Sequence, residues 1–315
     1  MKWIEDFRER YLLPRRYGKA EAKAWAACYK GTSLLKRAHS LEKGMGLPQI
    51  TYGRGLEKAT LLIKALKDYI DADNDLCAFD FLASVHTVHT YLFFQQSHGV
   101  DVSHLMKEYE LIDKSLSPLS RKILESLKCG AFEADYTAKD FDLESFWNSR
   151  HTLRDFDITR DVDESEIREA IRLAAYAPSA CNRQPAKVYY SLNRNIAKQV
   201  GKFAPGNKGF ADNVPYYAVI TVDRSLFDLS EMYQWLVNGG IFLGYFINAL
   251  HSVGIGSCVF QFPFAEGKNN KRLLNLIGAP TNEVVCAIVG FGKYKKTARY
   301  LYAPRKSVDE LSKKF

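Results

Sequence analysis

The stretch from Met232 to His251 is strongly apolar, and its interruptions are Gly239, Gly240, Gly244, Asn238 and Asn248. A run of that length has two fates, crossing a bilayer or filling the core of a folded domain. Small residues and amides suit a long helix packed closely on other helices, and the flanking charges that would set a membrane topology are absent. The stretch is therefore read as a core helix, and no membrane partner is expected. It is also more apolar than one small sheet can cover, which predicts a partner surface and an obligate homodimer. At 315 residues, with 47% hydrophobic and 13% aromatic content, the chain can bury one large core and a smaller one.

Periodicity divides the chain near residue 140. Residues 1–140 read as almost wholly helical: Leu56 to Ile70 sets Leu61, Leu62, Ala65, Leu66 and Tyr69 against a lysine-bearing face, and Asp80 to Gln96 is more apolar. Weaker helical patterns follow at Val102 to Leu116 and Ser120 to Leu127. Between them and the N-terminus, Arg37 to Met45 with Gly46, Pro48, Gly53 and Gly55 is too rich in breakers for a helix, so it is expected to be a polar loop able to cover a pocket. Residues 141–315 mix both periods. Asp163 with Glu166 makes a capping-box pattern for a helix from about Glu164 that Pro178 stops, with Ile167, Ile171 and Ala174 on its buried face. Strands are predicted at Lys187 to Leu192, Tyr216 to Val222, Val253 to Phe260 and Val284 to Gly290, with helices at Ile196 to Phe203 and Leu273 to Leu276. That order gives an α+β class, a sheet domain flanked by helices and preceded by an all-helical domain.

Polar chemistry gathers between residues 150 and 185. Arg150, His151, Thr152 and Arg154 place two guanidiniums beside imidazole and hydroxyl donors, the set that a phosphate monoester or polyol chain requires. One helix later comes Pro178-Ser179-Ala180-Cys181-Asn182-Arg183-Gln184-Pro185, whose amides can read a ring edge with alternating N–H and C=O groups. The plainer alternative pairs Arg150 and Arg154 with Asp155, Asp157 or Asp161 and makes Asn182 a turn cap.

These two motifs, in this order and separation, resemble the nitroreductase-like flavoproteins, whose pattern runs roughly Arg-Arg/His-Ser/Thr-x-Arg-x-Phe and then Ala-Pro-Ser-x-x-Asn-x-Gln-Pro. The likeness extends through the second half, roughly residues 145–315, and leaves the helical first half unexplained. It implies FMN held without covalent attachment at a homodimer interface, NADH or NADPH as reductant, and hydride passing through the flavin N5 to an electron-poor small-molecule acceptor such as a nitroaromatic or quinone. By position it assigns Arg150, His151, Thr152 and Arg154 to the phosphate and ribityl chain, with Arg305 as a late phosphate ligand. It assigns Pro178, Ser179, Ala180, Asn182 and Gln184 to contacts from the partner subunit, Asn207 and Lys208 to the pyrimidine end, and Gln261 to backbone N–H groups near N5 and O4. No catalytic side chain is implied beyond the flavin. Ala186, where a tryptophan often follows Gln-Pro, and the bulky residues after Gly256 depart from relatives and alter pocket shape.

Other classes have less behind them. A net charge of +8 is compatible with nucleic acid, but the basic residues are spread out and no finger or RNA-recognition signature is present, so no nucleic-acid partner is expected. Six scattered cysteines without a C-x-x-C pair argue against a zinc site or a disulfide framework. His86 and His89 share a helix face with no third ligand at a matching offset, which favours a buried pair over a metal. The residues from Met1 to Arg8 do not read as a signal peptide, and free thiols suit a reducing cytosol, so a cytoplasmic location is expected. A flavin-fold binding or regulatory protein with an occluded pocket and no turnover is the competing reading.

Overall fold

A computed structural model describes residues 33–45, 50–127, 142–228, 231, 233–262, 267–298 and 305–315. The chain forms two compact units: the first holds residues 1–139, 178–185 and 223–238, the second residues 140–177, 186–222 and 239–315.

Within the first unit five helices are described: α1 (residues 33–45), α2 (Leu56–Asp71), α3 (Phe79–Ser97), α4 (Ser103–Ser115) and α5 (Pro118–Ser126). Their core combines Leu62, Ile63 and Leu66 of α2, Phe81, Leu82, Val85, Val88 and Leu92 of α3, and Leu105, Tyr109 and Ile112 of α4. On α2 the buried side is Ala59, Leu62, Ile63 and Leu66, while Leu61 is 47% exposed, so the apolar face is turned by one residue from the expected one. Ser117 stops the chain from fraying at α5: its Oγ accepts from Ser120 N–H at 3.1 Å, and Pro118 follows at the first helical position.

The polar loop expected at 37–45 is instead the body of α1. Leu34, Ala38, Leu41 and Met45 recur at helical spacing and are all buried, so the apolar stripe overrides the breakers that follow it. Its polar residues occupy the other side, with Glu42 Oε1 accepting from Thr87 Oγ1 of α3 at 3.1 Å. Gly46 and Pro48 fall outside the described residues. Gly55 then enters α2 at φ 102°, a left-handed conformation that costs glycine little, with the Tyr91 hydroxyl donating to Arg54 O at 2.9 Å.

In the second unit α6 (Leu143–Ser149) and α7 (Glu164–Ala174) precede β1 (Ala186–Ser191), α8 (Arg194–Gly201) and β2 (Tyr216–Asp223). Next come α9 (Gln234–Ser252), which begins in the first unit, then β3 (Ile255–Gln261), α10 (Lys268–Ile277), β4 (Glu283–Lys293) and α11 (Val308–Leu311). The sheet order is β1-β2-β4-β3, antiparallel between β1 and β2 and between β3 and β4. Every residue of β2 is buried, which is why it reads as a continuous apolar run. Tyr217 and Val219 join a cluster with Ala197 and Val200 of α8 and Leu273 and Leu274 of α10. The alternate residues Tyr216, Ala218 and Ile220 pack with Ile167, Ala170 and Ala174 of α7 and Phe246 and Leu250 of α9. The fold is thus α+β, with helices on both faces of the sheet.

Local signals account for the joins. Glu166 reaches back to accept from Asp163 N–H at 2.9 Å at the start of α7, and Gly278 ends α10 at φ 69°. β4 begins one residue before its apolar run, at Glu283, which is fully buried yet satisfied: it accepts from Lys187 Nζ at 2.6 Å, Tyr189 Oη at 3.1 Å and Thr221 Oγ1 at 2.6 Å.

Candidate functional site

The cationic segment begins where α6 ends. Asp142 caps that helix by accepting from Ser145 N–H at 2.9 Å, and Arg150 leaves it in extended conformation. The chain then runs beside β3 and the end of β4: Leu153 N–H donates to Ser257 O at 2.9 Å, and Asp157 N–H donates to Lys293 O at 3.0 Å. Extended backbone sends Leu153 into the core and leaves Thr152 and Arg154 exposed, and a bend at Asp155 breaks the alternation so that Phe156 is buried as well. Two glycines permit this close approach. A Cβ at Gly256 would lie 2.4 Å from Leu153 Cδ2 and 3.2 Å from the Tyr294 ring, and one at Gly292 would lie 3.0 Å from Phe156.

Charge along this segment is unbalanced in a specific way. Asp155 pairs with Lys295 at 3.1 Å, Asp157 with Arg160 at 2.8 Å and Asp161 with Arg194 at 2.7 Å. The three aspartates that could have neutralised the motif arginines are thereby engaged elsewhere, and among the described residues neither Arg150 nor Arg154 has a carboxylate partner. Arg154 faces an aromatic instead, its guanidinium carbon 6.0 Å from the Phe210 ring centroid. His151 lies within electrostatic reach of both Arg150 and Arg305: burial first, then these two cations, pushes its pKa below the ordinary imidazole value. Arg150 and Arg305 therefore act on the same imidazole although 154 positions of sequence separate His151 from Arg305. Burial, Arg150 and His151 lower the pKa of His251 in the same way.

The polar loop belongs to the first unit, whereas the arginine segment belongs to the second. Ser179 Oγ accepts from Gln184 N–H at 3.0 Å, and Asn238 Oδ1 accepts from Ala180 N–H at 2.8 Å. Cys181, Asn182 and Gln184 all hold positive φ (53°, 52° and 47°), an uncommon run for residues with a Cβ. Arg183 holds them there. Its buried guanidinium donates to Ala180 O at 2.8 Å, Leu226 O at 2.7 Å and both Glu231 oxygens at 2.9 Å, and lies 4.4 Å from the Phe227 ring centroid. Lys36 of α1 also pairs with Glu231, at 3.1 Å, and with Asp228. Pro178, Asn182 and Gln184 are exposed, with Gln184 Nε2 donating to Asn182 Oδ1 at 3.2 Å.

The remaining candidates are more dispersed. Asn207 uses both amide hydrogens internally, on Gly201 O at 2.8 Å and Tyr217 Oη at 3.3 Å, so only its Oδ1 can meet a ligand. Lys208 is exposed and unpaired among the described residues. Gln261 is the exposed last residue of β3, opposite Ala287, and Arg305 is exposed ahead of α11. Sequence reasoning passed over Arg183, a variable position inside the motif, and Ser149, His251 and Tyr294, which no spacing links. Of the two helical imidazoles, His86 lies 3.2 Å from Thr90 Oγ1 and His89 packs against the Tyr109 ring. Among the described residues no cluster of three or more His, Cys, Asp or Glu side chains could hold a metal, and no helix is long and apolar enough to cross a membrane.

The chain shows similarity to known proteins in two of three comparisons. The nitroreductase family model matches residues 148–206. Similar solved structures include an FMN-dependent nitroreductase from Clostridium difficile R20291, 18% identical, covering 51% of this chain and 92% of its own with a TM-score of 0.44. A nitroreductase family protein from Streptococcus pneumoniae TIGR4 is 19% identical, with 55% and 100% covered and a TM-score of 0.46. Another from Clostridium novyi NT is 20% identical, with 54% and 91% covered and a TM-score of 0.43. No curated protein matches by sequence. The segment that the nitroreductase family model matches, residues 148–206, is the one that carries both motifs.

Proposed function

We propose that the chain is an FMN-dependent NAD(P)H oxidoreductase, a cytoplasmic homodimer that passes hydride to an electron-poor acceptor, nitroaromatic or quinone in class. The observation that carries this reading is the pair of motif arginines left without carboxylates among the described residues while Asp155, Asp157 and Asp161 are each engaged by another cation. Such a donor set fits a phosphate monoester: Arg150, His151 and Arg305 face the dianion, and Thr152 and Arg154 reach the ribityl hydroxyls. Asn207 Oδ1 accepts from a ring N–H at the pyrimidine end, and Lys208 places a cation where negative charge builds on reduction. Pro178, Ser179, Ala180, Asn182 and Gln184 contribute from the second subunit, and Gln261 presents backbone near N5. When bound, FMN supplies the hydride chemistry, and the protein supplies placement and electrostatics. Residues 141–315 form the flavin domain on this reading, and residues 1–140 a helical domain without an assigned role.

The absorption spectrum of the purified protein tests the cofactor, and steady oxidation of NADH or NADPH with an added quinone tests turnover. Flavin bands with turnover are expected. A colourless protein that ignores added FMN overturns the reading, and tight FMN without turnover marks a flavin-binding protein instead.

A further inference from the structure

One imidazole outside the motif is held by partners on two other segments. His251, in the last turn of α9, has Nε2 2.9 Å from Ser149 Oγ and Nδ1 2.9 Å from Tyr294 Oη. Its ring packs 5.1 Å from Phe146 and meets Tyr294 edge-on at 6.1 Å. Ser149 donates its single hydroxyl proton to Phe146 O at 3.0 Å, so its oxygen is the acceptor toward Nε2. Neutral His251 therefore carries its hydrogen on Nε2 and accepts from Tyr294 on Nδ1. A second proton at Nδ1 would find the Tyr294 oxygen already placed to receive it once that hydroxyl rotates.

Burial opposes the second proton first, and the neighbouring cations add to it, while a hydrogen bond to the Phe146 backbone favours it. Arg150, directly after Ser149, and His151 face His251 with like sign, Tyr294 is the titratable group on the strand side, and Arg305 acts in turn on His151. Among the described residues no acidic side chain acts on His251. An anion seated on this patch shifts the balance toward the imidazolium, because it cancels the repulsion from Arg150 while the hydrogen-bond partners of an imidazolium are already in place.

We propose that His251 is the proton-accepting positioning residue of the anion site built by Arg150, His151 and Arg305, so that a tetrahedral dianion binds there together with one proton taken from solvent onto Nδ1. This rests on reading that patch as a phosphate site. The imidazolium then ties the end of α6, through Ser149, to the end of β4, through Tyr294, and so fixes the backbone from which Arg150 projects. Anion affinity rises as pH falls through the imidazole range and declines above it.

Sulfate is the probe, since it stays a dianion throughout that range and adds no titration of its own. The full chain with histidines labelled at Cε1 is titrated by NMR with and without sulfate, His251 being assigned from His251→Gln. Sulfate should raise the His251 midpoint by about half a unit or more, and His251→Gln should bind sulfate roughly three- to tenfold more weakly near pH 6 yet like the parent near pH 8. A purely structural role weakens binding equally at both pH values and overturns the proposal, as does an unmoved His251 midpoint. Tyr294→Phe, which removes the Nδ1 partner, should diminish the sulfate-induced shift and gives the assignment a second route should His251→Gln fail to fold. FMN titrations in the same buffers separate the two readings. FMN binding without any His251 dependence overturns this inference and leaves the cofactor assignment standing. A sulfate-linked proton on His251 in a protein that ignores FMN does the reverse.

Discussion

Arginine occupies two opposite situations in this chain. Among the described residues Arg150 has no carboxylate partner, whereas Arg183 is buried and saturated by two carbonyls and a bidentate carboxylate. Removing the first should cost ligand and little else. Arg150→Ala, or Arg305→Ala, is expected to weaken FMN by about 1.5 to 3 kcal/mol, roughly ten- to a hundred-fold, in a fluorescence titration. Unchanged affinity in both variants sinks the phosphate assignment. Around the second arginine the cost falls on stability and depends on pH. Burial alone would raise the pKa of Glu231, but Arg183, the Asp228 N–H and Lys36 outweigh it and hold the value at about 2 against an ordinary 4.5. A lowered pKa in the folded state stabilises above the unfolded value, and that stability is lost as pH falls from about 4.5 toward about 2. With the side chain a quarter exposed, the contribution is on the order of 2 kcal/mol. Glu231→Gln should therefore melt below the parent at neutral pH, with the gap closing toward pH 2. A gap that stays constant across that window would assign the loss to packing rather than to charge.

At the scale of elements, what the sequence makes legible is what periodicity and caps encode. α7 with its Asp163–Glu166 box, the fully buried β2 and the long α9 follow from local pattern, and all lie within a few residues of where the pattern puts them. α1 was hidden because the glycines and proline that follow Met45 in sequence outweighed an apolar stripe at Leu34, Ala38, Leu41 and Met45. The candidate site was legible in the residue types at 150–154 and 178–184, but not in what holds them. Arg183 looks like any surface arginine until Glu231 and Phe227 enclose it, and His251 meets Ser149 across 102 residues of sequence. The glycines of the sheet belong to this hidden support. At Gly256 an added methyl group would strike Leu153 and crowd Tyr294, the two side chains that fix the arginine segment and the His251 contact. Gly256→Ala is expected to lower stability by about 1 to 3 kcal/mol in urea melts. Its FMN affinity should also fall in the fraction that remains folded. A variant as stable as the parent with undisturbed FMN binding would show that the segment adjusts freely and that the glycine sets no geometry.

For the whole molecule the question is what covers α9. This helix buries Phe246, Ala249 and Leu250, yet along its length Val237 is 50% exposed, Ile241 37% and Tyr245 44%, and Tyr233 just ahead of it is 67% exposed. These four recur every four residues and form one apolar stripe, with Gly240 and Gly244 lying beside it to let another backbone approach closely. Single exposed apolar residues are ordinary, but a continuous stripe on the most hydrophobic helix of a chain is surface that a partner covers. The proposed homodimer would bury that stripe, and the flavin site should follow the dimer if the polar loop of one subunit completes the arginine patch of the other. Ile241→Glu and Tyr245→Glu place a carboxylate in the stripe, where pairing would bury it without a counter-charge, so each should shift sedimentation from dimer to monomer at micromolar concentration. Neither side chain belongs to the described cores, so far-ultraviolet circular dichroism of the variants should match the parent. FMN should leave with the partner. A monomeric variant that keeps its flavin with parental affinity would show that one chain builds the whole site, and a variant that stays dimeric would place the interface on another face.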